Sequence, residues 1–493
     1  MTAPSAPVRL DHRAVRRVVL GVMLAMFLSA LDQTIVATAL ATIGRAYANV
    51  EDLAWVVTAY LLAATVVTPL YGKLSDIYGR RPVLLGGIGI FVLGSIACAL
   101  SPSMSLLIAS RALQGLGGGG LIAMAQIIVG DAVPPRERGR YQGYFGAVFA
   151  ASSIAGPVLG GVFAEHLHWT LIFWINVPLG ILALAISANA LKALPRNERP
   201  RKLDLLGATL MVTATVCLLL ALNWGGVRYA WAAPQIVGLA IAAATLFALF
   251  GWRLARAPEP FVPLPILRNR VVAAAVGSAA FAYGTMIGLS IYTPIYFEVV
   301  LGQSASGAGL TLIPFMGGVV AGSTVGGQLM SRLTHYKRIS LVGVPVAFVA
   351  LLPLVLMPAS LSVTVVGALL ACVGVGIGTV LPITTVSVQN AVAPYELGTA
   401  TGLNNFVRAL ASALMVALYG AILFGGVSGR GVTLDTIATG AGQSTSAAHF
   451  QWIFAAAATC LAASWLFILM MEERPLRTGA QPAPSDAVAV PAE

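Results

Sequence analysis

Long apolar runs, each ended by a short polar stretch, follow one another from Val18 to about Met471. A bilayer core takes about 20 apolar residues per helix. On that measure the chain carries fourteen spans, at 18–41, 54–74, 83–101, 105–130, 141–164, 170–191, 205–223, 235–252, 271–298, 305–330, 339–358, 361–388, 398–424 and 450–471. The runs are continuous rather than alternating, which predicts helices and not the period-two strands of a barrel. Arg13, Arg16 and Arg17 ahead of Val18 have the charge of a secretory signal. No small-x-small cleavage site follows cleanly, and removing this run would invert every later loop, so it is expected to stay as the first span.

Composition agrees with the runs. Of 493 residues 58% are hydrophobic and 10% charged, with a mean hydropathy of +0.87, whereas a soluble domain carries about 25% charge. The 29 Lys and Arg exceed the 18 Asp and Glu for a net charge of +11, which in a soluble protein would suggest a nucleic-acid partner. Position removes that reading. With the N-terminus inside, 24 of the 29 bases fall in cytoplasmic loops and ends, three (Arg45, Arg228, Arg430) fall outside, and Arg111 and Arg408 lie within spans. Lys and Arg accumulate on the cytoplasmic side of short loops. The chain is therefore expected to be a multi-pass protein of the cytoplasmic (inner) membrane, with both termini cytoplasmic, the lipid bilayer as its surroundings and no nucleic acid. Its Pro- and Ala-rich tail, 473–493, is expected to be disordered. Cys98, Cys217, Cys372 and Cys460 all sit in apolar runs and read as small buried hydrophobes.

The chain also repeats itself. Residues 115–143 align without gaps on 374–402, with identities that include Gly115/Gly374, Gly117/Gly376, Gly119/Gly378, Pro135/Pro394, Glu137/Glu396, Gly139/Gly398 and Gly143/Gly402. A weaker echo sets Gly72-Lys-Leu74-Ser-Asp76 against Gly327-Gln-Leu329-Met-Ser331. If spans 1–6 recur as spans 9–14, spans 7 and 8 are an inserted pair. The expected domains are then an N-terminal six-helix bundle (1–195), the inserted pair with its linkers (196–260), a C-terminal six-helix bundle (261–472) and the tail. Parallel repeats of this kind imply two bundles that rock about a site near the membrane midplane.

Particular residues carry a resemblance. Gly72-Lys-Leu-Ser-Asp76-Ile-Tyr-Gly79-Arg80-Arg81 follows span 2, Arg111-Ala-Leu-Gln114-Gly115-Leu-Gly117 lies in span 4, and Gly156-Pro157-Val-Leu-Gly160-Gly161 lies in span 5. With Leu31-Asp32-Gln-Thr34-Ile-Val36, Trp174-Ile-Asn176-Val-Pro178 and Glu473-Arg-Pro-Leu-Arg477, the chain resembles the major facilitator superfamily, and within it the fourteen-span drug:proton antiporters of the EmrB and QacA type. The resemblance implies an all-α membrane fold of two six-helix bundles plus two extra helices. It also implies proton-driven export of amphipathic small molecules by alternating access.

The same residues have physical readings of their own. Gly72 and Gly79 permit a tight turn and close helix approach. Asp76 can meet a helix N-terminus or pair with Arg80, so the 72–81 loop is a candidate cytoplasmic latch, or Arg80 and Arg81 simply fix topology. Gly156, Pro157 and Gly160 let span 5 bend and a neighbour pack closely. In the resembled family this pattern accompanies export.

Charges at membrane depth are functional candidates. Asp32 is the one acid well inside a span; it and Arg111 lie at similar depths, about 9 Å below the outer edge of a ~30 Å core. A carboxylate so placed responds to water access and to a neighbouring cation. The pair is a candidate proton-coupling centre, or a static ion pair between spans 1 and 4. Glu298, near the outer end of span 9, is a second proton or cation candidate, or simply an interfacial residue. Arg408 in span 13 has no acid of the second half facing it at similar depth; it is a candidate for holding a helix carbonyl or an anionic group, or for a structural role. Trp55, Tyr60, Gln126, Phe281, Tyr283, Tyr292, Tyr296 and Asn405 are candidates for lining a substrate cavity.

Other signals are set aside. Gly115-Leu-Gly117-Gly-Gly-Gly120 fits G-x-G-x-x-G as a string, yet it lies inside an apolar run and follows no strand. No nucleotide-binding G-x-x-x-x-G-K-[ST] segment occurs, and nothing has the pattern of a catalytic centre. The Glu165-His166-Leu-His168 cluster reads as interfacial rather than metal-binding. The expected partners are a small-molecule substrate and protons, without metal or cofactor; a periplasmic adaptor is not legible in the chain. A dedicated exporter of one metabolite and a transport-dead membrane sensor remain the alternatives to a multidrug pump.

Overall fold

A computed structural model describes residues 12–49, 51–193, 203–226, 228–424 and 443–476. The tail beyond 476, with Arg477, and much of the linker before span 7 lie outside these residues. The described chain is helical, apart from turns and a single bridge between Gly225 and Tyr229. Among the described residues fourteen helices have the length and apolarity to cross a membrane. They are α1 Arg13–Tyr47, α2 Leu53–Tyr78, α3 Arg80–Ala99, α4 Met104–Ala132, α5 Pro135–His166, α6 Leu171–Ala190, α7 Leu205–Trp224, α8 Pro234–Arg256, α9 Arg270–Val299, α10 Gly307–Arg332, α11 Lys337–Leu356, α12 Val363–Ala391, α13 Pro394–Leu423 and α14 Ala447–Met470.

Several helices outrun the apolar stretches that predict them, because a helix does not stop where hydrophobicity does. α5 begins at Pro135, six residues before its apolar run, since proline suits a first helical turn and Glu137 favours the positive end of the dipole. α4 is interrupted between Gly118 and Leu121. A side chain on Gly119 would run into the Ala64 backbone, and one on Gly120 into the Tyr71 ring, so these glycines let α2 lie directly against α4.

The first six helices pack around Ile88, Phe91, Met124 and Ile128, with a second apolar cluster at Ile35, Leu107 and Phe173. Helices α9–α14 pack around Tyr296, Phe315, Phe450 and Phe454. Without a hydrophobic drive between helices in lipid, close contact comes from small residues. Gly374 and Gly378 of α12 accordingly lie on the backbone of α10 at Phe315 and Val319. Helices α7 and α8 pack on one another, and α7 also touches α2 and α13. Ala208, Met211, Phe261 and Phe406 form the apolar seam there.

We call the end at which α1 begins the base and the opposite end the mouth. The two halves meet mainly through α2 on α13 and α5 on α10, and the closest approaches lie toward the base. Gly72 faces Gly398, and Gly139 faces Gly327; a side chain on any of the four would strike the opposing backbone. These are two symmetric contacts, since Gly139/Gly398 and Gly72/Gly327 are the paired positions of the sequence repeat.

Candidate functional site

Two polar centres lie deep in the helices. In the first, Arg111 of α4 donates from Nη1 to Asp32 Oδ2 of α1 at 2.6 Å. Asp32 Oδ1 accepts from Gln114 Nε2 at 2.8 Å and from Asn176 Nδ2 of α6 at 3.1 Å. Arg111 also donates from Nε to the Val56 carbonyl at 3.0 Å, and its guanidinium lies 4.4 Å from the centre of the Tyr60 ring. Tyr60 is bonded to Ser29 at 3.2 Å. Asp32 is 0% and Arg111 1% exposed. The pairing expected from depth is therefore present, and Gln114 and Asn176 add two donors to the carboxylate.

The second centre borders a cavity of about 620 Å³ between the halves. It runs from the middle of the helices to the mouth ends of α7 and α13, at Gly225 and Gly420. Tyr283 and Tyr292 of α9 and Asn405 of α13 line it, as the sequence suggests. Arg408 lines it too, and also a smaller space of about 110 Å³ toward the base. Gln126 borders that smaller space and accepts from Asn405 Nδ2 across the halves at 2.8 Å. Asp32 and Arg111 line neither space.

Four expected positions fall elsewhere. Tyr60 belongs to the ion-pair shell, 1% exposed. Trp55 meets Trp224 edge-on at 5.8 Å, joining α2 to α7. Phe281 stacks on Phe467 of α14 at 5.9 Å, and Tyr296 is buried among Phe450 and Phe454. Glu298 is exposed and forms no ion pair among the described residues. Conversely, Gln33, Asn223 and Ser412 line the cavity. Their polarity at membrane depth was the available signal.

The base holds a third polar cluster. Asp76 accepts from the backbone N–H of Gly398 at 3.0 Å and of Thr399 at 2.7 Å, and from Thr399 Oγ1 at 2.7 Å. An acid thus sits on the N-terminal turn of α13, where exposed amides and the helix dipole favour it. Arg80 bonds Asp76 and Asp131, each at 2.6 Å. Gly79 turns the chain from α2 to α3 at φ +91°, a conformation that glycine alone adopts readily. Arg81 is exposed and donates to the Ala188 carbonyl at 3.1 Å. On the symmetric side, where Ser331 replaces the acid, Arg136 donates to the Ser331 carbonyl at 3.1 Å. Glu473 makes a comparable cap, accepting from the Lys337 N–H at the start of α11 at 3.0 Å.

On α5, Gly156 and Gly160 face α1 at Thr34, Ile35 and Thr38, and Thr34 Oγ1 donates to the Ser152 carbonyl at 2.9 Å. Pro157 is exposed, and the helix runs on through it.

Known proteins resemble the chain in sequence and in fold. The chain is 39% identical over 405 residues to the uncharacterized MFS-type transporter Rv1877 of Mycobacterium tuberculosis, covering 82% of this chain. It spans only 58% of the length of that relative. It is 36% identical over 405 residues to multidrug resistance protein 3 of Bacillus subtilis, covering 82% of this chain and 79% of the relative. A crystal structure of a bacterial homologue of the iron transporter ferroportin, in an outward-facing state with soaked iron, superposes with a TM-score of 0.63 over 94% of this chain and 100% of that one. At 14% identity that likeness speaks for the fold. The sequence profile of the Major Facilitator Superfamily matches residues 22–416, and the chain belongs to that family of multi-pass membrane transporters.

Proposed function

We propose that the protein exports amphipathic small molecules from the cytoplasm in exchange for protons, by alternating access of its two halves. In this reading the base faces the cytoplasm of a cell whose inner membrane it spans, and the state described is open outward. The observation that carries it is the cavity between the halves: lined as far as the mouth ends of α7 and α13, mainly apolar with a few polar groups as ligand sites are, and bounded at the base by Gly72 on Gly398 and Gly139 on Gly327. The multidrug relatives support efflux over uptake.

Asp32 is the proposed proton carrier. Its three partners come from α4 and α6, so a relative movement of these helices against α1 would expose the carboxylate to water and change its proton affinity. The test is proton movement in proteoliposomes under an imposed pH gradient, on adding lipophilic cations, anions and neutral drugs, with wild type and Asp32→Asn. Substrate-evoked proton efflux that Asn abolishes, with substrate binding retained, is expected. Binding without proton flux in wild type would favour a sensor. Flux that persists in the variant would leave Asp32 as a structural ion pair.

A further inference from the structure

Arg408 sits at the centre of α13, 14 residues after Pro394 and 15 before Leu423, and it is 8% exposed. It borders both internal spaces, and among the residues lining them it is the one charged side chain. Its Nε has no hydrogen-bond partner. Among the described residues it forms no ion pair or hydrogen bond; its guanidinium carbon lies 4.2 Å from the centre of the Tyr283 ring. Arg111, the other deep cation, has Asp32, the Val56 carbonyl and Gln114. The contrast is chemical: one arginine is neutralised by the protein, the other is not.

A guanidinium keeps its charge in proteins, and a charge out of water is costly unless paired and hydrogen-bonded. Here the place for the pairing group is cavity rather than protein. From the cavity side, a cationic ligand would meet an uncompensated positive charge with no carboxylate to receive it. An anion would complete both the charge and the open donor positions, with the planar fork that suits carboxylate, sulfonate or phosphate.

We infer that the cavity takes an amphipathic anion, its acidic group held by Arg408 and its apolar body lying along Tyr283, Ile287 and Ile122. Tyr283 holds the guanidinium by its face, and the cavity volume suits a drug-sized molecule. This assignment rests on the efflux reading for its biological sense and adds the charge of the cargo.

The decisive pair of probes is tetraphenylborate and tetraphenylphosphonium, which share shape and apolar surface and differ in charge sign. Binding is measured by calorimetry to the protein in phosphatidylcholine nanodiscs, with empty discs as background. The expected result is at least about tenfold preference for the borate in wild type, its loss in Arg408→Gln and its retention in Arg408→Lys. Equal binding or preference for the phosphonium in wild type overturns the inference, whether or not the variants fold. So does a preference that survives in Arg408→Gln.

A second arm adds phosphatidylglycerol to the discs. Unchanged borate binding is expected; competition that vanishes in Arg408→Gln would assign the acidic group to a lipid headgroup and overturn the cargo assignment. Proton-driven uptake into inverted vesicles, of a fluorescent sulfonate or of ethidium, separates the two readings. Ethidium transport without sulfonate transport keeps efflux and sinks the anion. Arg408-dependent borate binding without transport of either keeps the anion site and sinks efflux.

Discussion

Arg111 reaches Asp32 at 2.6 Å in a setting where neither side chain meets water or the cavity. Breaking a buried pair on one side leaves the other charge uncompensated, at a cost of about 3–5 kcal/mol. Arg111→Gln and Asp32→Asn are both expected to lower thermal stability in detergent, and Asp32→Asn/Arg111→Gln to recover part of the loss. Stability is best followed by the fraction of protein that stays monodisperse after heating. Equal stability of the single variants and wild type would show that the pair adds nothing net to the stability of the fold.

At the base, Asp76 ties α2 to the first turn of α13 through three donors on Gly398 and Thr399. Hydrogen bonds to a charged group contribute about 1.5–3 kcal/mol each, and only in the state where the base is closed. Asp76→Ala should therefore shift the resting population toward an open base. Spin labels on the base ends of α2 and α13 would report this as a longer mean distance. A distance distribution unchanged from wild type would mean that glycine packing alone closes the base.

Glycine packing makes its own prediction. A side chain on Gly398 meets the Gly72 carbonyl and the Asp76 carboxylate, and one on Gly327 meets the Gly139 carbonyl. Overpacking costs about 1–3 kcal/mol where the neighbour cannot yield, and backbone yields least. Gly398→Ala and Gly327→Ala are expected to hold the base apart while leaving each half folded, with transport lost and cavity binding kept. Thermostability at the wild-type level together with normal transport would refute the contact.

Much of this arrangement is legible in the chain, and the rest fails for one reason. Hydrophobic runs report depth along a helix, which is why the helix positions, the common depth of Asp32 and Arg111, and the Asp76–Arg80 spacing could be read. They do not report azimuth, because a helix in lipid is apolar on its outer face and on its packed face alike. Trp55, Tyr60 and Phe281 share a class with Tyr283 and Tyr292, yet only the last two line the cavity. The repeat makes Gly139 equivalent to Gly398, but not that each meets a glycine of the opposite half. Asn176 could be placed at depth, whereas its bond to Asp32 required the fold.

The α1–α5 seam is a third point of close approach. Gly156 sits on Thr34, and Gly160 on Thr38 and the Ile35 carbonyl. Gly156→Val would push α5 off α1 and break the Thr34–Ser152 bond, for a loss of about 1–3 kcal/mol. Pro157 faces outward, so Pro157→Ala is expected to be milder. The two variants compared by heating in detergent would rank these effects; the opposite ranking would make the proline the main determinant of the seam.

Charge bookkeeping distinguishes the cargo in a whole transport cycle. Export of one cation for one proton moves no net charge. Export of one anion, the cargo that unpaired Arg408 calls for, against one proton entering moves two positive charges inward. Each charge gains about 2.3 kcal/mol per 100 mV, so a potential negative on the cytoplasmic side drives the anion cycle from both components. Proteoliposomes with a valinomycin-imposed potassium potential and no pH gradient should then export a fluorescent sulfonate, and Arg408→Gln should not. A rate indifferent to the potential would require an electroneutral exchange and so a cationic cargo or a second co-transported charge.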